Sequence, residues 1–163
     1  RDPDIDILLE MLDMHRVLAR RPGTSDRLLC LVLHNCRMAA SRPAIAAHCR
    51  ATAKRVLDIV EGVPIERARA SAQVWRDAVD ALAPLVNPYA HERCADADAV
   101  ETIARLARRF IDAADTKPSS ASAEAVVRLL SDLAGHDNAT VASQHLVLES
   151  VGRCASALNW IGW

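Results

Sequence analysis

Aromatic side chains are scarce in this sequence. They make up 3% of the 163 residues, with a single phenylalanine and a single tyrosine. A haem globin is therefore disfavoured, because few rings are left to pack against a porphyrin. The core has to be built from Leu, Val, Ile and Ala, which suits close packing of helices. The 30 alanines favour the same fold, since alanine loses no side-chain entropy in a helix.

An excess of charge of one sign is also missing. Twenty basic and 21 acidic residues leave a formal net charge of −1. A balanced chain produces no long-range field that would attract nucleic acid or an anionic membrane. No apolar run approaches the ~20 residues that a transmembrane helix needs. We therefore expect neither nucleic-acid nor membrane binding.

Known catalytic motifs are not found. The sequence has no glycine-rich phosphate loop, no nucleophile elbow and no Cys-x-x-Cys pair. We therefore expect a non-enzymatic protein, with no catalytic residues, no cofactor and no resident metal.

Five cysteines are present, an odd number that cannot all pair within one chain. Most lie within helix-like runs, where a free cysteine serves as a small apolar side chain. This pattern predicts reduced thiols and a cytoplasmic location.

A group of cysteines and histidines supports an alternative. Cys30, His34 and Cys36 fall on the predicted second helix, and His48 and Cys49 fall on the third. Thiolate and imidazole ligands at such spacing can hold zinc if neighbouring helices meet. The alternative function is therefore a zinc-binding or small-molecule-binding helical domain with its site between these two helices.

Apolar residues recur every three or four positions along almost the whole chain, which predicts amphipathic helices. The clearest stripe includes Trp75, Val79 and Leu82 in the predicted fourth helix. The apolar run 28–33 makes the second helix the predicted central one. In the last helix one face is predicted to point inward: Val141, His145, Leu148, Val151, Ala155 and Leu158.

No alternation typical of strands persists, so the predicted class is all-α. Short connections favour a compact bundle of six to seven antiparallel helices over the alternative, stacked helical hairpins. Residues 1–163 are expected to form one domain. The chain begins with Arg1 rather than Met, which is compatible with a fragment of a longer chain.

Arginine dominates the basic residues, with 18 Arg and only two Lys. Together with the many alanines, this bias indicates a GC-rich bacterial or viral source.

Two kinds of surface are candidates for protein association. Arginine pairs or triplets occur in several helices, and guanidinium groups bind carboxylates through two parallel hydrogen bonds. Two tryptophans close the chain, and tryptophan is a favoured interface anchor. We therefore expect a protein-interaction or assembly module that binds a protein partner or forms a homo-oligomer. The candidate interaction residues are Arg20, Arg21, Arg105, Arg108, Arg109, Trp160 and Trp163.

Overall fold

The computed structural model describes residues 3–42, 48–89, 95–114 and 120–156, and the side chains of 4–42, 48–89, 95–114 and 122–154. Eight α-helices and one 3-10 helix follow one another in these ranges. They are α1 (Pro3–Arg20), α2 (Asp26–Ala40), α3 (Cys49–Gly62), α4 (Ile65–Ala70), α5 (Ala72–Leu82), the 3-10 helix (Ala83–Val86), α6 (Ala97–Ala113), α7 (Ser120–Ala134) and α8 (Val141–Ser156).

The predicted all-α class is confirmed, and the described residues contain no strand. One helix more than expected arises because the predicted fourth helix is divided at Ser71. The backbone of Ser71 is extended, with φ −127° and ψ 108°. Its hydroxyl accepts a hydrogen bond from the backbone N–H of Val74 at 3.3 Å and so begins a new helix.

The helix pairs with the most extensive contact are not adjacent along the chain: α1 packs with α3, α2 with α5, and α6 with α8. Asp13 of α1 contacts Arg55 of α3 at 3.2 Å, and Arg16 contacts Asp58 at 3.7 Å. The later residue of α1 contacts the later residue of α3, so the two helices run parallel. A chain that reverses direction at each short connection produces this arrangement.

The buried apolar residues form one cluster with members from all eight α-helices. Its central element is α5, which contacts α2, α3, α4, α6, α7 and the 3-10 helix. The prediction that α2 is central was therefore wrong. Leu31, in the middle of its apolar run, is 54% exposed. An apolar run indicates burial only where neighbouring helices cover every side, and here one side of α2 faces outward.

The predicted inward face of the last helix was also wrong. Leu148 of α8 is 70% exposed, whereas the adjacent Val147 is 5% exposed. Two serines, Ser143 and Ser150, share the buried face with Val147. The Ser150 hydroxyl donates to the carbonyl of Leu146 at 2.7 Å, so its polar group is satisfied without water. Counting apolar residues missed this face because small, internally bonded serines occupy it.

The proline-containing connection 84–95 begins within the 3-10 helix, with Leu85 and Val86 buried. Its residues 90–94 lie outside the described ranges.

Candidate interaction site

A cleft with a cavity volume of about 400 Å³ lies between α4 and α6. We call it the arginine cleft. Its lining residues are Ile65, Arg69, Arg105, Arg108, Arg109, Asp112 and Ala113. Four guanidinium groups and one carboxylate therefore surround the same space.

Helical spacing explains why these residues meet. On α6, Arg105, Arg108, Arg109 and Asp112 follow the i, i+3, i+4, i+7 pattern of one helix face. The opposite face of α6 is apolar and lies in the core. Because that face is buried, the polar face must point outward, and the short helix α4 forms the other wall of the cleft.

Contacts within the protein hold Arg109 in place. Its guanidinium donates to the backbone carbonyls of Glu61 at 3.0 Å and Val63 at 3.2 Å, at the end of α3. It also lies 5.9 Å from the centre of the Phe110 ring. Carbonyls at a helix C-terminus lack partners within the helix, and a cation there is favourable. Part of the role of Arg109 is therefore to cap α3.

Arg108 joins α6 to α8. It pairs with Glu149 of α8 and, at 3.8 Å, with Asp112 one turn further along α6. Arg153 of α8 contacts the same Asp112 at 2.6 Å. The pair of Arg108 and Asp112 therefore belongs to a network of two arginines and two carboxylates.

The side chain of Arg105 in the cleft is accessible to solvent. Its side chain is 58% exposed, and it contacts Glu61 of α3 at 3.6 Å, a residue that is itself half exposed. Arg69 on α4 is also exposed. An exposed ion pair contributes at most about 1 kcal/mol, so an incoming carboxylate can compete with Glu61 for Arg105.

The predicted pair Arg20 and Arg21 lies at the end of α1. Arg20 crosses to the last turn of α3, where its guanidinium donates to the carbonyl of Asp58 at 3.4 Å. A Cβ atom added to Gly62 would lie 2.9 Å from the Cγ atom of Arg20. Arg20 therefore packs on a glycine of α3, whereas Arg21 is exposed. These two arginines do not line the cleft.

Two of the expected interaction residues, Trp160 and Trp163, lie outside the described residues. The cleft also includes Arg69, which was not among the candidate interaction residues. Arg67, two residues earlier on α4, instead donates to Asp26 at 2.8 Å. The spacing of Ile65 and Arg69, four residues apart on one helix face, was the available signal.

The cysteines and histidines of the alternative hypothesis do not meet. Cys36 is fully buried in the core, His34 and His48 are exposed, and Cys30 is influenced by Asp77 of α5 rather than by α3. Within the described ranges, no group of three His, Cys, Asp or Glu side chains is placed to hold a metal ion. The structure therefore adds no support for a zinc site between α2 and α3.

The cysteine thiols are poor nucleophiles. Burial raises the pKa of Cys36 to about 12. Burial, together with the neighbouring carboxylate of Asp77, raises the pKa of Cys30 to about 11. A thiol attacks only as thiolate, so these shifts oppose thiol chemistry near neutral pH.

The expectation that all five cysteines are reduced was wrong for Cys49, which is disulfide-bonded. Cys30, Cys36 and Cys154 are free. The remaining cysteine of the sequence, Cys94, lies outside the described residues. The pattern failed here because an odd cysteine count leaves room for one bond as well as for none.

Comparison with known proteins finds no match: no protein-family model, curated protein or solved structure resembles the chain.

Proposed function

We propose that this protein is a non-enzymatic helical module for protein–protein association, and that the arginine cleft binds an acidic segment of its partner. The observation that carries the proposal is the lining of the cleft, with four arginines and a single carboxylate in about 400 Å³. A volume of this size accommodates a few side chains rather than a folded domain.

Carboxylates are the ligands that suit this lining. A guanidinium group presents fixed pairs of N–H donors that match the two oxygens of a carboxylate. The cleft has four arginines against Asp112 in its lining and the adjacent Glu61 and Glu149, so a positive excess remains there. The formal net charge of the whole chain is −1, so this excess is local. Nucleic acid, by contrast, favours an extended basic surface that follows its backbone. A short acidic peptide segment fits a local positive site better.

The contacts within the cleft favour binding in a second way. Arg109 is held by two carbonyls, and Arg108 is held by Glu149 and Asp112. Side chains that are already ordered lose little entropy when a ligand arrives. Arg105 and Arg69, which are exposed, then supply the groups that can reorient towards the partner.

Binding of a labelled poly-glutamate peptide, followed by fluorescence anisotropy at low salt, tests the proposal. The poly-glutamine peptide of equal length is the control ligand. Exchanging Arg69 and Arg105 together for Gln should weaken poly-glutamate binding by tenfold or more, since charge-assisted hydrogen bonds contribute about 1.5–3 kcal/mol each. Added salt should weaken it as well.

The matched control variant is Arg128→Gln. Arg128 is exposed on α7 and pairs only one turn away, with Glu124 at 2.9 Å. This change removes a positive charge from the protein but not from the cleft. Equal loss of binding in the control and in the cleft variant, or equal binding of both peptides, would contradict the proposal.

The cytoplasmic location and the GC-rich bacterial or viral source also stay proposals. Three free cysteines are compatible with a reducing compartment, whereas the bond at Cys49 weighs against one, because disulfides persist mainly under oxidising conditions. None of the helices in the described part of the chain is both long enough and apolar enough to cross a membrane. Trapping the thiols in intact source cells before lysis tests the location.

A further inference from the structure

The outward face of α1 carries exposed apolar side chains at regular spacing. Ile7, Met14 and Val17 are 64%, 62% and 65% exposed. With Glu10 and Arg21, both exposed, they form a series with alternating steps of three and four residues. We call Ile7, Glu10, Met14, Val17 and Arg21 the α1 stripe. This spacing is that of the seam along which two helices pack as a coiled coil.

The neighbouring helix α2 also carries exposed apolar side chains. The Nε2 atom of His15 in α1 and the Nδ2 atom of Asn35 in α2 are 2.9 Å apart, so Asn35 lies where α2 contacts α1. Leu31 and Met38 lie four residues before and three residues after Asn35, on the outward side of α2 next to this contact, and both are about half exposed. Apolar side chains grouped in this way on a protein surface mark contact sites.

The methionines of the chain are concentrated in α1 and α2. The sequence has three methionines, Met11, Met14 and Met38, and all three belong to α1 or α2. Met14 and Met38 are exposed, while Met11 packs partly against the core. The flexible and polarisable methionine side chain is used often at contact surfaces that adapt to a partner.

The charges of the α1 stripe determine which partner fits. Suppose that two α1 helices pack antiparallel, with Met14 of one copy against the partner's Val17. The same register then brings Glu10 against the partner's Arg21, because Glu10 precedes Met14 by four residues and Arg21 follows Val17 by four residues. Each contact occurs twice. In a parallel alignment, Glu10 would instead face a like charge.

Among the described residues, no ion pair involves the side chain of Glu10 or Arg21. Three other charged residues of α1, by contrast, contact α3: Asp13, Arg16 and Arg20. The stripe therefore has an apolar centre, Met14 and Val17, flanked by the opposite charges of Glu10 and Arg21, and this part of it is complementary to its own reversed copy.

We infer that the α1 stripe is the contact between two copies of this chain, which pair antiparallel about a two-fold axis. Such an interface is isologous, since the same residues serve on both sides. The face is little more than one helix wide, so the dimer dissociates on dilution. The inference does not depend on the arginine cleft, which lies between other helices.

Sedimentation velocity over a wide range of protein concentrations tests the inference. The unaltered chain should change from monomer to dimer as the concentration rises. Met14→Lys should raise the dissociation constant tenfold or more, because it places a charge at the apolar centre. Glu10→Arg and Arg21→Glu should each have a similar effect, because each places like charges opposite one another.

The decisive variant combines Glu10→Arg with Arg21→Glu. It restores opposite charges in every pair and should restore the dimer, which a merely destabilised protein would not do. Leu148→Lys, on the exposed face of α8, is the control for adding a lysine to an exposed apolar surface and should leave the dimer intact. Circular dichroism of each variant establishes that it is folded.

Three results would overturn the inference. The first is a chain that stays monomeric at every concentration. The second is a dimer that Met14→Lys leaves intact, and the third is a double variant that remains as weak as the single ones. Loss of poly-glutamate binding in the Arg69 and Arg105 variant, with the dimer preserved, would leave this inference standing and separates it from the proposed function.

Discussion

The indole Nε1–H of Trp75 in α5 donates a hydrogen bond of 2.6 Å to the backbone carbonyl of Phe110 in α6. Phe110 lies in the last turn of α6, where a carbonyl lacks its usual partner within the helix. Both side chains are buried, so water cannot replace the indole. This contact satisfies a helix end inside the core and joins the central helix to the helix that carries the arginine cleft.

Trp75→Phe should therefore lower the free energy of unfolding by more than the lost volume alone. Leaving a buried carbonyl without a donor costs about 1–3 kcal/mol. Urea denaturation followed by circular dichroism measures the change. Tyr89→Phe, at a tyrosine that is 90% exposed, is the control and should have no effect. A Trp75→Phe protein as stable as the unaltered chain would contradict this account.

Arg20 and Gly62 provide a test of packing between α1 and α3. Glycine in a helix costs about 0.5–1 kcal/mol relative to alanine, so Gly62→Ala should stabilise α3 wherever the added Cβ fits. In the unaltered chain that Cβ meets the Arg20 side chain at 2.9 Å. We expect Gly62→Ala to stabilise the protein more in an Arg20→Ala background. Additive effects in this double-mutant cycle would show that the two side chains do not compete for space.

The two faces of α8 should respond differently to truncation. Val147→Ala removes buried methyl groups and should cost about 1–2 kcal/mol. Leu148→Ala, at the adjacent exposed position, should change stability by no more than about 0.5 kcal/mol. Thermal or urea unfolding compares the two variants directly. The opposite order would restore the inward face that the apolar spacing predicts.

The raised pKa of Cys30 predicts how its reactivity depends on pH. With a pKa of about 11, Cys30 should react slowly with iodoacetamide at neutral pH, and its rate should rise about tenfold per pH unit until that pKa is approached. Asp77→Asn removes a negative charge beside the thiol, which should lower its pKa and speed the reaction. Asp98→Asn, on the exposed start of α6, should not. Mass spectrometry of the labelled peptide gives the rates.

Alkylation also shows which cysteines are free and which are disulfide-bonded. In denaturant without a reductant, Cys30, Cys36 and Cys154 should be alkylated and Cys49 should not, because the first three are free and Cys49 is bonded. After reduction all five should react. Alkylation of all five before reduction would show that Cys49 carries a free thiol in the isolated protein.

Much of the secondary structure was predictable because helix formation depends on local spacing. The predicted face of α5 was correct at Trp75, Val79 and Leu82, where large apolar residues recur every three or four positions and are buried. The break at Ser71 was missed because a serine can either continue a helix or cap the next one. The arginines of α6 were identified from the sequence, but their separation from Arg20 was not.

What the sequence determined by itself is the set of amphipathic helices, since residues three and four apart share a face in any helix. Only the tertiary structure decided which faces are covered. Serines could occupy the buried side of α8 because α6 packs closely against it, while Leu31 of α2 and Met14 of α1 point outward because no described helix lies over them. Burial is a property of neighbouring helices, and their arrangement depends on contacts distant in the chain.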